Sequence, residues 1–156
     1  MMRRGVCAAV GLVALLVSSE AAGGERHAVY AEAFGKGGLW GVGYDYQIQD
    51  RLSFGGVVSY FPVEGMHTIS LSPYLGARIL GAGRHRWFAH LGPQLVFVHT
   101  RSTVPELQPG TSVGIAGELS TGYEYRHRVL VRVFAMAIAG RGGFAPWAGV
   151  SLGWAR

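Results

Sequence analysis

The chain has 156 residues, room for one domain. Its 25 glycines amount to about one residue in six against a usual ~7%, beside seven Phe, seven Tyr, four Trp, only 14 basic and nine acidic residues. The formal charge of +5 comes from thirteen arginines and one lysine scattered mostly at turns, which excludes the localised basic patch of a nucleic-acid binder.

Residues 1–21 have a job of their own. Arg3 and Arg4 form a positive head, Val6 through Val17 an apolar run, and Ser19-Glu20-Ala21 places small residues where a signal peptidase inspects the chain. This pattern predicts a cleavable signal peptide, cut after Ala21 or Ala22. The apolar run falls short of the ~20 residues a spanning helix needs. Cys7 lies within the run rather than at its end, so it does not mark a lipid attachment. Cleavage removes Arg3, Arg4 and Glu20, lowering the charge from +5 to +4, and removes the only cysteine. Residues 22–156 then form the mature domain, without disulfide or thiol chemistry.

That domain reads as eight short segments alternating with period two, the signature of strands with unlike faces. The first runs roughly from His27 to Phe34 and carries Glu32. In the second, Trp40, Val42, Tyr44, Tyr46 and Ile48 share one face against Gly41, Gly43, Asp45 and Gln47. After a polar turn at Gln49–Arg51, the third sets Leu52, Phe54, Gly56, Val58 and Tyr60 against Ser53, Gly55, Val57 and Ser59. The fourth runs from His67 to Ile79, with Ser70, Ser72, Tyr74, Gly76 and Arg78 opposite an apolar row. The fifth, Trp87 to His99, puts Phe88, His90 and Gln94 on its second face. The sixth, Val113 to Tyr125, presents Glu118, Ser120 and Glu124; the seventh, Val129 to Ile138, presents Arg132. The eighth, Phe144 to Ala155, turns Val150, Leu152 and Trp154 outward. Pro73 and Pro93 each remove a ladder donor and predict a bulge or a local change of register.

One face throughout is rich in Gly and Ser with a few charges; the other is branched and aromatic. Eight strands close around a lumen just wide enough for side chains. The small polar face therefore belongs inside, and the broad apolar face belongs against lipid. Aromatics near strand ends, including Trp40, Tyr46, Tyr60, Trp87, Tyr123, Tyr125, Phe144 and Trp154, suit two interfacial girdles. Closure leaves no backbone edge unpaired in lipid. The expected fold is all-β: an eight-stranded antiparallel up-and-down transmembrane β-barrel of the cell outer membrane. Short turns at Gln49–Arg51, Gly81–Arg86 and Arg126–Arg128 would face the periplasm. Connections at Gly35–Leu39, Phe61–Met66, Thr100–Ser112 and Gly140–Gly143 would face outward. A soluble, calyx-like ligand barrel is the rival architecture.

The stretches Tyr30-Ala-Glu-Ala-Phe-Gly-Lys-Gly-Gly-Leu-Trp, Ser72-Pro-Tyr-Leu-Gly-Ala-Arg and Val150-Ser-Leu-Gly-Trp-Ala-Arg carry a resemblance. In them the chain resembles the small porin-like outer-membrane barrel proteins of Gram-negative bacteria, a family without a shared activity. The last stretch is similar to the aromatic C-terminal strand read by the outer-membrane assembly machinery, extended by two residues beyond Trp154. The resemblance implies outer-membrane lipids and that machinery as partners.

Glu32, Asp45, Arg78, Glu118, Glu124 and Arg132 are the charged side chains expected inside, pairing across the lumen. Carboxylate acid–base work would need reach to a substrate and a suitable pKa, which spacing does not supply. Two Ser/His groupings invite comparison with lipid hydrolases: His67 with Ser70, and His99 with Ser102 and Glu106. Strand parity points Ser70 away from His67. The second grouping lies in a loop, where the chain imposes no triad geometry. Histidines 27, 67, 85, 90, 99 and 127 lack compact zinc spacing, and Gly35-Lys-Gly-Gly lacks the rest of a phosphate loop. The reading is therefore a structural or interaction barrel with no catalytic, cofactor or metal site. It would present the 100–112 loop to an external partner. The alternatives are a narrow solute channel and, behind it, a lipid-modifying hydrolase.

Overall fold

The computed structural model describes residues 25–100 and 110–156; the expected signal segment, residues 1–21, lies outside them. Eight strands follow in chain order: β1 (His27–Ala33), β2 (Trp40–Gln49), β3 (Leu52–Val63), β4 (Met66–Ala82), β5 (His85–Thr100), β6 (Gly110–Arg126), β7 (Val129–Gly140) and β8 (Gly143–Ala155). Each pairs antiparallel with its sequence neighbours, and β1 pairs with β8 from Ala28↔Ala155 to Ala33↔Val150, closing the barrel.

Alternation runs nearly unbroken around the wall. Glu32, Asp45, Ser59, Ser70, Ser72, His90, Gln94, Glu118, Ser120, Arg132 and Ser151 are buried inside. Trp40, Val42, Phe54, Val58, Leu71, Val133 and Leu152 are exposed outside. This polarity is inverted relative to a soluble barrel. Across three adjacent strands Leu75, Leu91 and Leu119 stand in one outward row, and are 68%, 64% and 52% exposed.

Most strands are longer than the periodicity alone marks. Pairing at the β3–β4 hairpin continues to Val63↔Met66, leaving only residues 64–65 between strands. At β4–β5 it continues to Ala82↔His85, and at β6–β7 Arg126 still pairs with Leu130. The expected connections at Phe61–Met66 and Gly81–Arg86 are thus largely strand, and the turn expected at Arg126–Arg128 narrows to residues 127–128. Ladder bonds with the neighbour hold residues such as Gly81, Arg86 and Arg126 that read as turn formers in isolation.

The two prolines do not shift the register. Pro73 and Pro93 face one another across β4 and β5, where pairing lapses between Leu71↔Leu95 and Leu75↔Leu91 and resumes unchanged. On their other sides they stay aligned with Gly56 and Gly117. Placing both missing donors at one point of one ladder confines the loss. The register shifts instead lie between Gln47 and Gln49 in β2 and between Arg78 and Leu80 in β4.

Space inside is made by glycine. A side chain at Gly43 or Gly153 would run into Tyr30, one at Gly55 into Tyr74, and one at Gly122 or Gly149 into Phe134. Each inward aromatic therefore lies against a neighbouring strand with no side chain there. The inward face of β7 departs from the polar expectation: Leu130, Phe134 and Met136 are buried beside Arg132. Phe134 and Met136 pack with Phe88 and Ile138 into an apolar patch within the lumen.

Candidate functional site

The lumen holds two layers of ion pairs. In the layer nearer the β1–β2 connection, Lys36 leaves the wall and enters the barrel. Its connection carries positive φ at Phe34 (54°), Lys36 (30°) and Gly37 (76°), strained for the two non-glycine residues. Interior contacts hold it there. The Lys36 ammonium pairs with Glu118 and lies 3.5 Å from Ser120 Oγ. The Lys36 carbonyl accepts hydrogen bonds from Ser59 Oγ (2.9 Å), Gln94 Nε2 (2.8 Å) and Ser70 Oγ (3.3 Å). Glu32 accepts from Ser151 Oγ at 3.1 Å.

The second layer lies toward the chain termini and is built around Asp45. One carboxylate oxygen accepts from Arg126 Nη1 at 2.5 Å; the other takes Arg132 Nη2 at 3.2 Å and the Tyr74 hydroxyl at 2.9 Å. Because Tyr74 spends its proton on Asp45, Tyr30, 2.9 Å away, must donate to the Tyr74 oxygen. Arg132 also donates through Nε to Glu124 at 2.6 Å, and Arg86 approaches the same carboxylate at 3.7 Å. His90 stacks on Tyr74 with ring centroids 4.1 Å apart, and Arg132 lies over the Tyr30 and Phe88 rings. Between the layers, the space bounded by Lys36, Phe88, Arg132 and Phe134 has no room for a water molecule.

Five of the six charged residues expected inside are buried there: Glu32, Asp45, Glu118, Glu124 and Arg132. Arg78 is only partly buried, at the terminal end of the lumen. Three cations were not among those expected. Arg126 and Arg86 sit in stretches that read as turns, although both share inward parity with Glu124 or Phe88. Lys36 lies in a connection, where period two says nothing; its being the chain's one lysine, among glycines, is the only mark it carries.

Of the two hydrolase groupings, His67 with Ser70 does not assemble. Ser70 is buried in the lumen, 2.6 Å from Ser59 Oγ, whereas His67 Nδ1 lies on the outer face, 2.5 Å from the Tyr60 hydroxyl. His99 Nδ1 is 3.1 Å from Thr111 Oγ1, and its proposed partners Ser102 and Glu106 lie outside the described residues. His67 and His99 stand opposite each other on β4 and β5.

No protein-family model matches the chain, and no curated protein matches it. Solved structures similar in fold include two outer-membrane barrels. The N-terminal β-barrel domain of Pseudomonas aeruginosa OprF matches with TM-score 0.67 and 16% identity, covering 86% of this chain and 100% of that one. Ail, the attachment invasion locus protein of Yersinia pestis, matches with TM-score 0.54 and 10% identity, covering 83% and 95%. Both are eight-stranded outer-membrane barrels. The chain has their fold, and its apolar exterior around a polar lumen is that of an outer-membrane protein.

Proposed function

We propose that this protein is a structural or interaction barrel of the outer membrane, a closed wall rather than a conduit. The observation that carries this reading is the filled lumen: two ion-pair layers with an apolar patch, and between them a space bounded by Lys36, Phe88, Arg132 and Phe134 too small for a water molecule. Residues 1–21 would direct export, and the strand ending at Ala155 would be read by the assembly machinery. The end carrying the termini and three two-residue turns faces the periplasm. The opposite end faces outward.

At that outward end the wall is uneven. β5 and β6 stay paired to Thr100↔Gly110, whereas β6 pairs with β7 only from Ala116 onward. The β5–β6 ribbon so extends past its neighbour on the β7 side, with Val113 and Ile115 exposed at 65% and 68%. Among the described residues this stretch of the β6 edge is unpaired, and such an edge accepts a partner's backbone. It supports an external partner reached through the 100–112 region.

Planar-bilayer recording of the purified barrel tests the closed reading. The expected result is no steady conductance. Steady conductance altered by neutralising Arg132 would replace this reading with the narrow channel. The interaction role is tested separately, by replacing the side chains of residues 100–112; partner binding that survives intact would remove that loop from the proposal.

A further inference from the structure

At the terminal end of the lumen lies a cavity of about 30 Å³ that opens beside Asp50 and Arg51, both exposed. Five arginines line it, Arg51, Arg78, Arg86, Arg126 and Arg132, against the carboxylates of Asp50 and Glu124. Even with Asp45 behind them and the Glu25 carboxylate close enough to act on Arg86, positive charge exceeds negative.

The arginines are not equally occupied. Arg132 is held by Asp45 and Glu124. Arg126 is held by Asp45 and by the carbonyls of Glu25 and Arg26. Arg86 spends Nε on the Gly83 carbonyl and Nη1 on Gln47 Oε1, at 3.1 and 3.3 Å, and lies 3.7 Å from the Glu124 carboxylate. Arg78 has no ion pair among the described residues, and its Nε is sealed from solvent without an acceptor. A buried donor left unmet is costly, and more so on a charged group. Ser53 adds a hydroxyl to the same lining.

We propose that this mouth binds a phosphate-class oxyanion, with Arg78 as its principal ligand and Arg86, Arg51 and Ser53 assisting. The excess of positive charge suits an anion, and guanidinium forks suit the oxygens of a phosphate. A cavity of about 30 Å³ holds one or two oxygen-sized groups, so the anion enters by its leading oxygens and leaves the remainder in the open mouth. Free phosphate and the phosphate of an anionic phospholipid headgroup share this chemistry.

Calorimetric titration of the full barrel in nonionic detergent with inorganic phosphate, against sodium chloride at matched ionic strength, tests the site. Saturable one-to-one binding is expected, at least about tenfold weaker in Arg78→Gln and unchanged in Arg141→Gln at the opposite end; tenfold corresponds to about 1.4 kcal/mol. Faster gel mobility without heating shows that each variant is folded. Should Arg78→Gln not fold, Ser53→Leu fills the cavity without touching a charge and is expected to abolish binding. A phosphate response equal to that of chloride, or one indifferent to both variants, overturns the proposal. Competition by micelles doped with phosphatidylglycerol, but not with phosphatidylcholine, assigns the site to a lipid headgroup; indifference to both assigns it to the free anion.

Discussion

Asp45 shows how much one inward side chain can organise. It is fully buried and is the shared acceptor for Arg126, Arg132 and Tyr74. Removing one partner of a buried pair leaves the other charge stranded, at a cost of about 3–5 kcal/mol. Asp45→Asn, which keeps the shape, is expected to lower stability by that amount in urea unfolding from lipid vesicles. A loss below about 1 kcal/mol would show that the arginines find other acceptors. Asp45, Glu118, Glu124 and Arg132 were legible in the sequence because each breaks an otherwise small or apolar inner row at the right parity. Arg126 and Lys36 were not. The first lies where strand gives way to turn, and the second reaches the lumen from a connection whose path depends on carbonyl contacts with Ser59, Ser70 and Gln94.

Strands β4 and β5 show what an element decides for itself and what its neighbour decides. Their faces follow from alternation, but the prolines could not be placed from one strand alone. Only pairing reveals that Pro73 and Pro93 oppose one another and share one lapse in the ladder. At the same spot a Cβ on Gly92 would strike the Pro73 carbonyl and lie 2.9 Å from Tyr74 Cα, both backbone atoms that cannot swing aside. Gly92→Ala is expected to destabilise the barrel by about 1–3 kcal/mol, as overpacking does. Gly56→Ala, whose Cβ would meet Pro73 Cα at an ordinary 3.7 Å, is expected to be near neutral. Comparing the temperatures at which the two variants lose their fast gel mobility tests both; equal shifts would show that the strands are not crowded at Gly92. The strands reach beyond their periodic stretches for a related reason. Periodicity fades near Phe61, Gly81 and Arg126, yet the ladders run on because the backbone pairs whatever the side chains are.

For the whole molecule, the inverted polarity carries its own test at the leucine row. Leu91→Arg places a charge on the outward face between Leu75 and Leu119. In lipid it is expected to cost about 2–4 kcal/mol near the midplane, read by unfolding from vesicles. On a water-facing wall the same change would stay within about 0.5 kcal/mol, and that result would remove the barrel from the membrane. Eight strands, their order, the lipid-facing side and most of the inner charges were determined by the sequence alone, because period-two alternation and turn residues are local properties. The register at which β1 meets β8, the sites of the register shifts, the entry of Lys36 and the pairing of each acid with its arginine were decided only by the tertiary structure. Those features depend on residues far apart in the chain, such as Asp45 and Arg126 or Lys36 and Glu118, which meet only once the sheet has curled shut.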